Sequence, residues 1–450
     1  MTDNNEGLLP IRRRVVAVIA LSLGSLMLMI DASIAGVVLP TIAIDLGVKG
    51  SATLLVVTVY QLILAMTLLP LAAIGERFGY RRLYQAGFVL HATAGILCLL
   101  VDTLPVLIAV RAMQSLGSAM AMAVAVALVR SIYPAHKLGS GLALNTIANA
   151  SGTALAPMVG GFIVSVASWQ WAFAAVAPLS LLSLLFSRAL PDPVVRPHAF
   201  DLGGALLCAL TFGLLIAGLE ATVHTDHVVL SLLVIVAGAV VAWFLVRHEK
   251  GESRPVLPVD LLAQPVLAFT ALATFCGTLA SMALILFMPF RLQHGYGFSP
   301  AEIGTLMAAY ALASVMISPL AGVLSDRIAV PILATLGMVV AVIGLSTVAL
   351  LPNQPGKLDI AWRLWLCGVG FGFFFSPNAR FLVGSAPTSR AAAAGSLFTT
   401  MRMLAMAAGA TLVAFLLAMG LGDGPIPPLV AACLALVAGA ISATGLRQRH

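Results

Sequence analysis

The chain has 450 residues, of which 61% are hydrophobic and 9% charged, and its formal net charge is +7. Soluble globular chains carry about 25% charged residues, and a soluble fold of this size lacks the polar surface to cover so much apolar content. The bilayer is the solvent that accepts it. The positive charge does not indicate a nucleic-acid partner, because the basic residues stand in short clusters between apolar runs, which is how membrane helices are oriented.

In chain order, Arg12, Arg13 and Arg14 lead into the apolar run from Val15 to Pro40. Ala32-Ser-Ile-Ala35 has the composition of a cleavage site, but the run exceeds the about 7–15 residues of a signal-peptide core. It reads as a retained first span. At about 20 apolar residues per span, fourteen spans follow, at approximately 15–40, 52–74, 84–102, 105–128, 138–166, 169–189, 203–220, 228–246, 266–290, 300–324, 328–351, 360–382, 391–419 and 426–445. The pair at 203–246 is joined by a short loop. Cys98, Cys208, Cys276, Cys367 and Cys433 all lie inside apolar runs without metal-ligand spacing, so they read as small packing residues. There is no phosphate-binding lysine loop and no dinucleotide fingerprint. No cofactor and no metal are expected.

The charge distribution tests the count. With the N-terminus cytoplasmic, eighteen of the 24 Lys and Arg fall on that side, and only Lys49, Arg291 and Lys357 fall in outer loops. Cytoplasmic loops carry such an excess, and an odd number of spans would scramble it. Both termini are therefore expected in the cytoplasm and the chain in the inner (plasma) membrane.

A weak internal repeat is present. Pro70-Leu-Ala-Ala-Ile-Gly-Glu-Arg77 and Pro319-Leu-Ala-Gly-Val-Leu-Ser-Asp-Arg327 each close a span with an acid–arginine pair. Arg111 and Arg363 stand near the outer ends of spans 4 and 12, and Pro-x-x-basic precedes spans 5 and 13, at Pro134 to Lys137 and Pro387 to Arg390. The repeat divides the chain into a six-helix bundle at 1–190, two inserted helices with a linker at 191–260 and a second six-helix bundle at 261–450. Duplicated halves around a midplane site are a transporter's signature.

These segments resemble the major facilitator superfamily, in particular its fourteen-span drug:proton antiporter branch. Ile30-Asp-Ala-Ser-Ile-Ala-Gly-Val-Val-Leu-Pro40 is similar to that branch's first span, and Ala72-Ala-Ile-Gly-Glu-Arg-Phe-Gly-Tyr-Arg-Arg82 to motif A. Arg111-Ala-Met-Gln-Ser-Leu-Gly117 is similar to motif B, and Gly152-Thr-Ala-Leu-Ala-Pro-Met-Val-Gly-Gly161 to antiporter motif C. Ala72, Glu76, Ser115, Ala156 and Gly36 depart from the family pattern. The resemblance implies an all-α major facilitator fold and a proton-coupled exporter of amphipathic, cationic drugs or toxic compounds, working by alternating access as a monomer. Its partners would be a small-molecule substrate, protons and the lipid bilayer. A metabolite carrier with an anionic cargo and a non-transporting receptor or scaffold remain as alternatives; no constellation for enzyme chemistry is present.

Among single residues, Asp31 lies deep inside span 1, where a charge is costly and must face a partner or a wet space. A carboxyl group that alternates between neutral and ionised forms can trade a proton for a cationic substrate. Arg111 either pairs with Asp31, as the resemblance implies, or extends its long chain to the headgroups. His91 has the side chain best suited to proton handling near neutrality, although a packed histidine is the plainer reading. Gln114 and Arg402 are further polar groups inside spans, whereas Arg363 and Glu220 are expected at the interface. Glu76, Arg77 and Arg81, echoed by Asp326 and Arg327, form a candidate cytoplasmic latch that holds while the protein faces outward. Gly152, Gly160 and Gly161 permit close backbone contact, and Pro157 permits a bend.

Overall fold

The structure is a computed structural model, and it describes residues 10–133, 138–191, 201–224, 228–250, 259–325, 327–385, 391–422 and 424–447. Among these residues every long element is a helix. The first bundle contains α1 (Ile11–Asp45), α2 (Leu55–Phe78), α3 (Tyr80–Leu97), α4 (Leu104–Ile132), α5 (Leu138–Val166) and α6 (Val176–Phe186), the last extended by short turns on either side. The inserted pair is α7 (Leu202–His224) and α8 (Val228–Glu249). The second bundle contains α9 (Pro265–Phe290), α10 (Pro300–Leu324), α11 (Val330–Ala349), α12 (Lys357–Ser385), α13 (Ala391–Ala418) and α14 (Ile426–Arg447). Among the described residues fourteen helices are long and apolar enough to cross a membrane, the number expected from the sequence.

Helices are the only open-ended solution here, because hydrocarbon offers no partner for a free backbone N–H or C=O. The punctuation is local. Proline opens α4, α9, α10 and α11, where its missing N–H costs nothing. Ser299 and Glu302 form a reciprocal capping box at the start of α10, and Gly79 separates α2 from α3 with φ of 104°, a conformation that a side chain would strain. The first helix runs on to Asp45, past the expected boundary at Pro40. Its 35 residues span about 50 Å, so Asp31 lies near its middle rather than towards one end.

The packing repeats. In the first bundle α1 meets α5 and α6, α4 meets α2 and α3, and α3 meets α6; the second bundle makes the same five pairings with α9 to α14. The bundles join through α5 with α10, α2 with α13, and α1 with α9. Helices α7 and α8 pair with each other, and α7 rests on α2 and α13. An even number of crossings returns the chain to the face from which α1 starts, here called the terminal face.

The bundles come to backbone contact at the opposite, far face. A Cβ on Gly161 of α5 would lie 2.5 Å from the carbonyl oxygen of Pro300 and 2.9 Å from Cα of Gly304, and a Cβ on Gly304 would strike the carbonyl of Pro157. Nearby, Trp169 Nε1 donates to Asp45 Oδ2 at 2.7 Å and Lys357 pairs with Glu302 at 2.6 Å. Because the obstruction at Gly304 is backbone, Gly304→Val is expected to destabilise by about 1–3 kcal/mol and to lower the thermal unfolding midpoint of the detergent-solubilised protein. A Gly304→Val midpoint equal to the parent's would contradict this contact.

Candidate functional site

The candidate site is assembled from five helices of the first bundle. Along α4, Arg111, Gln114, Ser115 and Ser118 follow the i, i+3, i+4, i+7 spacing of one helix face, and all four are buried. Arg111 Nη1 donates to Asp31 Oδ1 at 2.7 Å and to Gln114 Oε1 at 2.7 Å, while Nη2 reaches the backbone carbonyl of Asp31 at 3.4 Å. The guanidinium lies over the rings of Tyr60 and Phe173, 4.4 and 4.6 Å from their centroids. Asp31 and Arg111 have no solvent exposure. Of the two readings open for Arg111, the structure has the ion pair and not the extension to the headgroups.

His91 of α3 completes the centre. Its Nδ1 stands 3.0 Å from Ser118 Oγ and 3.3 Å from the carbonyl of Gln114. A carbonyl only accepts, so Nδ1 carries the hydrogen and Nε2 of the neutral ring is a bare acceptor. Nε2 faces Asp31 Oδ2 at 4.0 Å, and neither atom has a hydrogen-bond partner among the described residues. Two acceptor atoms therefore face each other at 4.0 Å, and a proton placed on either, with an approach of about 1 Å, would turn the contact into a hydrogen bond. Tyr60 Oη, 2.8 Å from Ser118 Oγ, extends the network to α2, and Ser115 Oγ donates to the carbonyl of Tyr60 at 2.5 Å. Tyr60, Ser115, Ser118 and Phe173 were not among the expected residues. The polar stripe on α4 would have identified the two serines.

The second bundle lacks this centre. A Cβ on Gly117 would meet the carbonyl of Gly87 and the backbone nitrogen of His91, both at 2.7 Å. A Cβ on Gly370 would meet the carbonyl of Gly337 and the backbone nitrogen of Ala341 in the same way. These matched glycine pairs align His91 with Ala341 and, counting back along each helix, Arg111 with Leu364. Arg363 is therefore not the counterpart of Arg111. It is bound to Asp359 at 3.0 Å and donates to the carbonyl of Thr347 near the start of α12. Glu220 also departs from expectation. It is buried and accepts a hydrogen bond from Thr411 of α13 at 2.6 Å, tying the inserted pair to the second bundle. Its position in α7 places it below the helix end, within reach of a neighbouring helix.

The remaining expected residues lie apart from Asp31. Arg402 sits mid-way along α13 in the other bundle, 5.8 Å from the ring centroids of Phe375 and Phe398. Gly152 and Gly160 face α1, where a Cβ would meet the carbonyl of Leu26 and, at 2.7 Å, Ile34; Gly161 and Pro157 face α10 instead. Glu76, Arg77 and Arg327 are exposed and Arg81 partly so, and among the described residues they form no ion pair with one another. Asp326 lies outside the described residues. The buried pair carries its own prediction. Removing one partner of a buried ion pair costs about 3–5 kcal/mol, whereas removing both charges costs far less. Arg111→Gln is therefore expected to unfold at a lower temperature than the double variant Asp31→Asn with Arg111→Gln. The reverse order would show that the pair is not mutually compensating.

Comparison with known proteins agrees with this architecture. The family model described as Major Facilitator Superfamily matches residues 21–410. The chain is 36% identical over 444 residues to YebQ of Escherichia coli (strain K12), described as an uncharacterized transporter, covering 98% of this chain and 97% of YebQ. It is 26% identical to the riboflavin transporter RibZ of Clostridioides difficile (strain 630), covering 88% and 87% of the two chains. It is 27% identical to the methyl viologen resistance protein SmvA of Salmonella typhimurium (strain LT2), covering 86% and 79%. The crystal structure of a bacterial homologue of the human lysosomal transporter Spinster, inward-facing and unoccupied, superposes with a TM-score of 0.72 at 15% identity, covering 97% and 98%. A fourteen-helix chain with two matched bundles, a family match over most of its length and a relative at this identity belongs to the Major Facilitator Superfamily and is an integral membrane transporter, not an enzyme.

Proposed function

We propose that this transporter is a proton-coupled exporter of amphipathic organic compounds. The observation that carries the proposal is the buried, unbonded approach of His91 Nε2 to Asp31 Oδ2 at 4.0 Å, set beside a carboxylate that already binds Arg111. A proton entering the gap neutralises Asp31 or charges His91. Neutralised, Asp31 releases its hold on Arg111, which keeps Gln114 and the two rings as partners. The bond that weakens joins α1 to α4. Leu64 and Ala65 of α2 and Ala119 of α4 pack against Met403 of α13, so a shift among these helices reaches the seam between the bundles. In this reading the positive-inside bias makes the terminal face cytoplasmic. The backbone contact at the far face and the motif A residues, which form no ion pair with one another among the described residues, fit an inward-open state, and motif C works as the hinge at the far-face contact.

The relatives support export of amphipathic compounds without fixing their charge, since their names include both methyl viologen resistance and riboflavin transport. A cationic cargo held directly by Asp31 is not favoured while Arg111 occupies that carboxylate. One observation favours the second reading, a carrier of an anionic compound: Arg402 in the opposite bundle has no counter-charge among the described residues.

The test is efflux of preloaded ethidium and carboxyfluorescein from cells that lack their own pumps. Expression of the parent protein is expected to accelerate the loss of at least one dye, and a protonophore to abolish the acceleration. Asp31→Asn is expected to reduce gradient-driven efflux at least tenfold while dye-for-dye exchange continues. Efflux indifferent to both the protonophore and Asp31→Asn would sink proton coupling.

A further inference from the structure

Arg402 is a cation that the proton chemistry of the first bundle does not use. It stands mid-way along α13, half-buried. Its Nε is buried without an acceptor, and among the described residues no carboxylate lies within ion-pair distance. Tyr310 of α10 is hydrogen-bonded to Ser281 at 2.5 Å. The guanidinium lies 5.8 Å from the ring centroids of Phe398, one turn earlier on the same helix, and of Phe375 of α12. Phe375 stacks on Phe371 with 5.8 Å between centroids, and Phe371 meets Tyr310 edge-on at 6.1 Å. The neighbouring residue, Met403, packs against α2 and α4 of the first bundle. Phe398, whose ring lies beside the guanidinium, packs in one cluster with Leu62 and Met66 of α2, which sets Arg402 beside the seam where the two bundles meet.

Ring faces offset part of the cost of desolvating a guanidinium, but they accept none of its five N–H bonds. Among the described residues, then, a charge at membrane depth lacks the hydrogen-bond acceptors that such groups normally find. We infer that Arg402 is the anion-binding residue of the cargo site, and that the cargo is an organic anion bearing a flat ring. Its carboxylate or phosphate binds the guanidinium fork, and its ring packs against Phe375 and Phe398, the two half-buried rings beside Arg402. The inference rests on the reading of this transporter as one whose cargo sits between the bundles, and it adds the cargo's charge and shape. It also divides the labour. The first bundle handles the proton inside its own core, and the second bundle handles the cargo.

The experiment is equilibrium binding of carboxyfluorescein, an aromatic anion, and ethidium, an aromatic cation, to the purified full-length protein in detergent, read by fluorescence anisotropy. Arg402→Gln is expected to lower the ratio of carboxyfluorescein to ethidium affinity at least tenfold, and Arg402→Lys to restore part of it. Phe375→Leu is expected to weaken carboxyfluorescein by a smaller factor. If Arg402→Gln fails to give a cooperative thermal transition, Arg402→Met, which keeps the length of the side chain, is read the same way. An unchanged ratio in the folded Gln or Met variant overturns the inference, as does a parent protein that binds ethidium alone or neither dye. Gradient-driven efflux that depends on Asp31, with a binding ratio indifferent to Arg402, would overturn this inference alone. A ratio that depends on Arg402, with no gradient-driven efflux, would overturn the exporter reading alone.

Discussion

Apolar side chains gain nothing by leaving lipid for another apolar helix, so these helices associate through van der Waals contact and the polar bonds that contact permits. Glycine makes that contact possible at the positions that matter. Gly87 against Gly117 and Gly337 against Gly370 bring α3 onto α4 and α11 onto α12 at backbone distance. Gly161 against Gly304 does the same for α5 and α10 across the seam between the bundles. The first of these pairs also places the buried polar centre, because the backbone nitrogen of His91 lies in the Gly117 contact. Close approach of α3 and α4 is what brings His91 within hydrogen-bond reach of Ser118 and opposite Asp31.

The same scaffold has been furnished differently on its two sides. In the first bundle the space enclosed by α1, α2, α3, α4 and α6 holds a carboxylate, a guanidinium, an imidazole and their hydroxyl and amide partners, all buried. At the matched positions of the second bundle stand Ala341 and Leu364. Burying ions costs several kcal/mol each and is seldom a source of stability. A polar centre kept in one bundle and absent from its counterpart is therefore weak as a stabilising device and well suited to a change of protonation state.

The inserted helices have a physical attachment as well. Helix α7 lies on α2 and α13, the helices of one seam, and Glu220 fixes it to Thr411 on the second-bundle side. A buried carboxylate that accepts a short hydrogen bond from the neighbouring helix makes the inserted pair part of that bundle's wall. The pair is thus more than a hydrophobic tether.

The sequence by itself determined the number of spans, the helical class, the positions of the motifs and the presence of an acid, Asp31, deep inside a span. Each of these depends on local information: the length of an apolar run, a proline or glycine at its end, or an acid where lipid forbids one. It did not determine which polar groups meet. Asp31, Tyr60, His91 and Arg111 come from four helices, and outside the polar stripe of α4 these helices are apolar all round and show nothing to say which face turns inward. The rotation of each helix about its own axis was decided only by tertiary packing. That packing paired Arg111 with Asp31, brought Arg363 to the carbonyl of Thr347 and buried Glu220 against Thr411. Arg111 and Arg363 look equivalent along the chain, yet a shift of one position along a helix turns a side chain by about 100°. That rotation separates a buried ion pair from a charge at the helix end.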